Sequence, residues 1–347
     1  SFKKYYNNIK IAYSFKTNYL PDFVKIINKK NGYAEVVSIM ELELALKCGF
    51  DYKNIFFNGP FKHLYQTQNF LSNGGLVNVD SIDEFVSIKT FAESTKTKCR
   101  LGIRLNFNLH EYPSRFGISV DDDSINLILD TCLNSDYLVL ESLHYHYAPR
   151  DLKIWNVCSH ELIKFLKKID LNKLSDIKFI SLGGGMFSRM DKYIKSQLPF
   201  NIPKFEEYAL NSVKLLGDFL KFKIKLNAEI LIEPGTALAS KSLDFIAKVV
   251  SLKNINNKIY INISGSKYNM NPSPNRINSP THIYNTNEFS AVKVQNAKLC
   301  GYTCIESDII HDNFNGNVAK NDIILFKEIG SYSLVMKPPF ILPDIQI

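Results

Sequence analysis

Short strand-like runs rich in apolar residues recur along the first two-thirds of the chain, at 9–15, 33–37, 54–58, 76–79, 100–106, 137–147, 178–182 and 228–232. Between them lie stretches whose apolar residues return every three to four positions, among them 20–30, 40–48, 82–93, 152–169 and 205–222. Short apolar-rich runs suit barrel strands, and the longer period suits helices packed on one side. Eight such units by residue 232 predict an α/β fold, a TIM (β/α)8 barrel. A doubly wound sheet fits fewer strands and a crossing connection.

From about residue 242 the texture changes. Strand-like patterns at 243–252, 258–264, 289–298, 307–311 and 323–329 are joined by Asn, Gly and Pro, and helical periodicity is absent. This predicts a smaller all-β domain over 242–347 after a barrel over 1–241, with a rigid loop at 271–275, Asn-Pro-Ser-Pro-Asn.

Composition narrows the class. The chain has 347 residues, 45% of them hydrophobic, enough for a full core. Its net charge of +8 comes from lysines spread along the chain, which read as solvated helix faces and not as a nucleic-acid footprint. Six cysteines without a Cys-x-x-Cys pair fit reduced thiols in a cytoplasm. No apolar run approaches membrane-spanning length, and no signal peptide is visible. The abrupt opening at Ser1 fits an N-terminally trimmed form.

A barrel does its chemistry at the C-terminal ends of its strands. Those ends here carry Lys16, Ser38, Gly59, Asp80, Arg104, His144 and His146, Gly183-Gly184-Gly185, and Glu233-Pro234-Gly235. Lys16 reads either as a surface lysine or as an amine held to form a Schiff base. His144 and His146 share a strand face and could pair on a metal, but Lys16, Arg104 and Glu233 complete a poor ligand set. Packed barrel histidines are the rival reading, strongest for His144. The glycine triplet is either a tight turn or a run of N–H groups aimed at one anion. Glu233, ending an apolar strand, needs a partner, and a cationic ring nitrogen or an internal arginine would serve. Cys304, in Gly301-Tyr-Thr-Cys-Ile-Glu-Ser-Asp308, reads by default as a small buried hydrophobe.

Taken in order, these residues resemble the fold type III pyridoxal-phosphate enzymes, the ornithine and diaminopimelate decarboxylase family with its alanine-racemase-like relatives. Tyr13-Ser-Phe-Lys16-Thr-Asn is similar to the Schiff-base lysine motif. Ala34-Glu-Val-Val-Ser38 with Glu41-Leu, Gly59-Pro-Phe-Lys62, Arg104-Leu-Asn106 with Ser114-Arg-Phe-Gly117, and His144-Tyr-His146 resemble successive barrel units. The glycine triplet resembles the phosphate loop. Glu233-Pro-Gly235 resembles the strand whose glutamate pairs with the pyridine nitrogen. Cys304 to Asp308 and Gly330-Ser-Tyr332 resemble two β-domain motifs.

The resemblance implies a pyridoxal 5'-phosphate decarboxylase acting on an amino acid or amino-acid conjugate. It also implies a head-to-tail homodimer with shared active sites, Cys304 reaching into the partner's site. The first β-domain strand usually precedes the barrel and is not found in this sequence. Lys16 would hold the cofactor, with His146 on its ring face. Gly183, Gly184, Gly185, Gly235 and Tyr332 would stand near the phosphate, Glu233 at the ring nitrogen, and Cys304 as proton donor. Arg115, Thr236, Glu306 and Asp308 would face the substrate. No metal is implied.

Three positions depart from the family. Thr236 replaces an arginine after Glu-Pro-Gly, Ala148-Pro149 replaces Gly-Ser, and Ile305 stands where an acidic residue reads the substrate's far end. They point away from ornithine and meso-diaminopimelate. A racemase or epimerase on the same cofactor and a non-catalytic binding relative are the alternatives. Glu233 argues against the first, and the intact Lys16 with Glu233 against the second.

Overall fold

A computed structural model describes residues 1–270, 277–286, 290–338 and 341, so the loop expected at 271–275 lies outside the described residues. The barrel strands are β1 (Ile9–Ser14), β2 (Tyr33–Val36), β3 (Ile55–Phe57), β4 (Leu76–Val79), β5 (Cys99–Asn106), β7 (Leu138–His144), β8 (Phe179–Ser181) and β9 (Glu229–Ile232). A two-residue strand, β6 (Ile118–Ser119), pairs with the end of β5. The order β4-β3-β2-β1-β9-β8-β7-β5 closes through a β4–β5 pairing, and every pairing is parallel.

The eight predicted strands are all present, six of them trimmed by one to three residues at an end, β4 unchanged and β5 longer by one. All of β3 and all of β4 are buried, as strands covered on both faces must be. Inside the barrel Ala12, Phe56, Leu76 and Leu231 pack with Tyr33 and Phe179, and the Phe56 and Phe179 rings meet edge to face at 5.0 Å.

Two Ser-x-x-Glu sequences fix the turns where strands meet helices. Ser38 caps α2 (Ile39–Lys47) by accepting from Glu41 N, and Glu41 Oε2 reaches back to accept from Val37 N at 2.7 Å. Ser81 and Glu84 repeat this at α4 (Ile82–Thr95), where Glu84 Oε2 accepts from Asp80 N at 2.8 Å. Lys62, its side chain 1% exposed, ties the ends of β3 and β4 together. It donates to Gly59 O, Asn78 O and both Glu84 oxygens.

The predicted helix over 205–222 is not uniform. α-Helical turns at Phe205–Tyr208 and Leu215–Phe219 alternate with π turns at Ala209–Lys214 and Leu220–Ile224. Gly217 sits against the Tyr6 ring, where a Cβ would lie 2.6 Å from it.

The chain divides into two compact units, 1–187 with 203–235, and 188–202 with 236–347. Segment 188–202 therefore goes with the second unit, where the expected division placed it in the barrel. The second unit is a six-stranded sheet of β10 (Phe245–Ile255), β11 (Lys258–Ile263), β12 (Thr281–Tyr284), β13 (Val292–Cys300), β14 (Ile309–Val318) and β15 (Ile323–Phe326). The order is β12-β15-β10-β11-β13-β14, antiparallel except for β11–β13. Its core includes Val249, Ile261, Ile263, Leu299, Phe314 and Phe326. The Tyr193 hydroxyl meets His311 Nε2 at 2.8 Å and fastens 188–202 to the sheet. Two short helices, Lys267–Met270 and Ser333–Met336, interrupt the expected all-strand texture. Among the described residues no helix is long and apolar enough to cross a membrane.

Candidate active site at the barrel mouth

Lys16 stands in a 3-10 turn, Phe15–Thr17, directly after β1. Phe15 and Thr17 are buried, which turns the lysine toward the barrel mouth. The turn is stitched by Tyr13 Oη donating to Asn18 O at 2.8 Å and Leu20 N donating to Asn18 Oδ1 at 2.9 Å. The Lys16 side chain is 35% exposed, and its Nζ lies 2.7 Å from Glu35 Oε2. A surface lysine has no such buried counter-ion.

Below this pair runs a polar layer with almost no solvent exposure. Glu35 Oε1 accepts from Asn58 Nδ2 at 3.1 Å, and the same Nδ2 lies 3.2 Å from Glu233 Oε1. Ser181 Oγ donates to Glu233 Oε1 at 2.7 Å, and His144 Nε2 is 3.3 Å from that oxygen and 3.4 Å from Oε2. Glu233 thus finds its partners in His144, Ser181 and Asn58, not in an internal arginine. Burial alone would raise its carboxyl, but His144, by charge and hydrogen bond, and then Lys16 outweigh it and hold Glu233 well below the usual carboxylate range. His144 is the packed barrel histidine that its position suggested.

His146 is half-buried. Gly184 N donates to its Nδ1 at 3.0 Å, so the ring is neutral with its proton on Nε2. Burial, and next the Lys16 charge, hold its pKa down at about 3.

The glycine triplet is needed for packing before any ligand. A Cβ at Gly183 would lie 2.6 Å from Tyr145 O, and one at Gly184 only 2.3 Å from Glu233 O. Two of the three amides are also engaged, Gly183 N with Ser181 Oγ and Gly184 N with His146 Nδ1. The three-amide cradle read from the sequence is therefore reduced to Gly185. Gly235 packs on Thr17, where a Cβ would lie 2.1 Å from Oγ1.

The remaining candidates are dispersed. Arg115 is exposed beside the Phe116 ring, with its guanidinium 4.1 Å from the centroid. Arg104 lies 4.6 Å from the same ring and pairs with Asp80 at 3.4 Å. In the second unit Thr236 opens the short helix Thr236–Ala239, and Tyr332 is half-buried at φ +61°. Cys304 is exposed, unlike a small buried hydrophobe, and Glu306 is exposed near it. Asp308, expected at the substrate, is buried. Its oxygens accept from Lys267 N, Thr303 N and Thr303 Oγ1, so it shapes the turn that carries Cys304.

Sequence reading passed over three members of this layer, Glu35, Asn58 and Ser181. An acid inside an apolar strand, and an amide directly before Gly59-Pro60, were the available signals. Among the described residues no group of three or more His, Cys, Asp or Glu is placed to hold a metal ion.

The donor set fits pyridoxal phosphate: a reachable amine for the aldehyde, an ionised buried acid for the pyridine nitrogen, and a neutral imidazole beside them. Comparison with known proteins agrees. A family model described as the pyridoxal-binding domain of pyridoxal-dependent decarboxylases matches residues 1–240. The diaminopimelate decarboxylase of Helicobacter pylori strain J99 is 24% identical over 340 residues, covering 94% of this chain and 80% of that protein. The diaminopimelate decarboxylase of Campylobacter jejuni is 25% identical, covering 94% and 80%. In fold, the chain is similar to the crystal structure of the H. pylori enzyme complexed with L-lysine, with TM-score 0.81, 23% identity and coverage of 97% and 84%. It is also similar to the arginine decarboxylase of Paramecium bursaria Chlorella virus, with TM-score 0.73, 17% identity and coverage of 97% and 88%. With the family model spanning the whole barrel and the amine, acid and imidazole gathered at its mouth, the chain belongs to the pyridoxal-dependent decarboxylases, carboxy-lyases that act on amino acids with pyridoxal phosphate as cofactor.

Proposed function

We propose that this chain decarboxylates an amino acid or amino-acid conjugate other than ornithine or meso-diaminopimelate, as a cytoplasmic homodimer with shared active sites. The observation that carries the reading is the half-open Lys16 amine, paired at 2.7 Å with Glu35 and joined through Asn58 to the buried Glu233. Thr236 and Ile305, in place of an arginine and an acidic residue, support a retuned substrate.

Bound there, pyridoxal phosphate supplies a sink for the electron pair left behind when the substrate's carboxylate departs. Lys16 Nζ would hold the cofactor through its aldehyde, the position that the substrate's amine would also need. Glu233, held ionised, keeps a proton on the ring nitrogen by opposing charge. His146 covers one ring face as a neutral imidazole, and its engaged Nδ1 fixes the ring's orientation. Gly185 N and Tyr332 hold the phosphate. Cys304 Sγ of the second copy delivers the proton that replaces the carboxylate. Arg115, Thr236 and Glu306 face the substrate, and Asp308 acts through the shape of the Cys304 turn.

The test is carbon dioxide release from a panel of amino acids and their conjugates, with the visible absorbance of the bound cofactor followed in parallel. The reading expects release from at least one compound and loss of the absorbance in Lys16→Ala. Exchange of the Cα proton without gas release would overturn it in favour of a racemase.

A further inference from the structure

Asn58 follows β3 and is 3% exposed. Its single Nδ2 reaches Glu35 Oε1 at 3.1 Å and Glu233 Oε1 at 3.2 Å, while its Oδ1 accepts from Asn78 Nδ2 at 2.7 Å. An amide nitrogen carries two hydrogens, so one group serves two carboxylates. The bond from Asn78 decides which way the amide faces. Asn78 is itself 2% exposed, so the pair cannot turn to water instead.

We propose that Asn58 is a positioning residue that joins Glu35 and Glu233 into one hydrogen-bonded unit, fixing the Glu35 side chain against Lys16 and so setting the proton affinity of the Lys16 nitrogen. This rests on Lys16 carrying the cofactor. Both facing oxygens must be acceptors for the amide to serve them, and a carboxylate that accepts N–H bonds resists protonation. Glu35 touches Lys16 directly. Glu41, Glu233 and His146 also feel its charge, and His144 and Arg104 bear on the same cluster through Glu233 and His146.

The sign of each substitution follows. Asn58→Ala removes both donors, lets Glu35 turn away from Lys16, and weakens the counter-charge on the Lys16 nitrogen. Asn58→Asp places a third carboxylate beside the pair and holds the proton on the Lys16 nitrogen more tightly. A residue that only fills space would change stability and leave the titration alone.

The experiment is a pH titration of the bound cofactor's visible absorbance in purified holoenzyme, with thermal unfolding alongside. The midpoint is expected to fall by about one pH unit in Asn58→Ala, the scale on which a lost neighbour moves a pKa. It should rise in Asn58→Asp, and fall by less in Asn78→Ala, where the freed amide can turn. Unmoved midpoints, or shifts of the same sign in Asn58→Ala and Asn58→Asp, would overturn the inference. If neither Asn58 variant retains cofactor, Asn78→Ala decides alone, and an unmoved midpoint there overturns it. Visible absorbance retained in Lys16→Ala would instead overturn the reading beneath it.

Discussion

The two ends of the barrel keep buried carboxylates in different company. In the lower half Glu141 on β7 lies between Arg100 Nε at 2.8 Å and Lys178 Nζ at 2.6 Å. Glu229, opening β9, meets Lys10 Nζ at 3.5 Å and the Tyr33 hydroxyl at 2.8 Å. Each acid there has a cation of its own. At the mouth Glu35 and Glu233 share one amide, one half-open lysine and one histidine. Below, the acids are neutralised by their own cations, although Lys10 at 41% and Lys178 at 61% are more exposed than Lys16 at 35%. The upper one has two almost fully buried acids, Glu35 and Glu233, joined by one amide, and under the proposed reading the cofactor's ring would be a further partner for Glu233. The same barrel thus separates a stabilising end from a working end.

The largest effect expected from this contrast is at Lys16. Lys16→Ala should lower turnover by about 10³-fold or more, over roughly 4 kcal/mol in the barrier. Its melting temperature should move less than its turnover, because the amine is one-third exposed. Arg100→Met should do the reverse. Removing one partner of a fully buried pair costs roughly 3–5 kcal/mol. Arg100 is 20% exposed and Lys178 remains beside Glu141, so about 2–3 kcal/mol is expected, with turnover per folded molecule unchanged. Denaturant unfolding and steady-state assays of both variants check the pair. Equal losses of both properties in both variants would erase the distinction.

How far these ends could be read from sequence depends on what each signal requires. The barrel strands were legible because a strand covered on both faces is largely apolar, as in Ile55-Phe-Phe or, apart from Asn78, Leu76-Val-Asn-Val. β12, Thr-His-Ile-Tyr, carries no such run and went unread, as did the two-residue β6. Lys16, His146 and Glu233 stand at strand ends where topology alone sends side chains to the mouth. Glu35 and Asn58 were quoted within longer stretches without a role, since their meaning lies in a bond across β2, β3 and β9. The glycine triplet was over-read for the opposite reason. Its spacing suggested an anion, but a Cβ at Gly183 or Gly184 would strike the neighbouring chain whether or not a ligand is bound. Asp308 likewise looks available in one dimension and is enclosed in three.

The smallest effect is the most discriminating, because its sign differs between the ends. Glu41, capping α2, is 4% exposed and accepts from Val37 N at 2.7 Å. Burial first, and Glu35 in addition, push its carboxyl up to about 7, against the opposing pull of Val37 N–H and Lys16. In the unfolded chain a glutamate titrates near ~4.3. Between roughly pH 4 and 7 the folded protein therefore holds a proton that the unfolded chain has lost, so stability declines as pH rises and the cost is complete above about 7. Glu41→Gln keeps an acceptor for Val37 N–H and never ionises. It should match the parent near pH 4 and gain on the order of 1–2 kcal/mol at pH 8, about 1–3 °C in melting temperature for a protein of this size. Glu141→Gln, which neutralises an acid lying between two cations, should lose stability at pH 8. Thermal unfolding of both variants at the two pH values reads the signs directly. A loss at pH 8 in Glu41→Gln would mean that the carboxylates at the mouth are as fully compensated as those below, leaving no electrostatic reason for the chemistry to sit at one end.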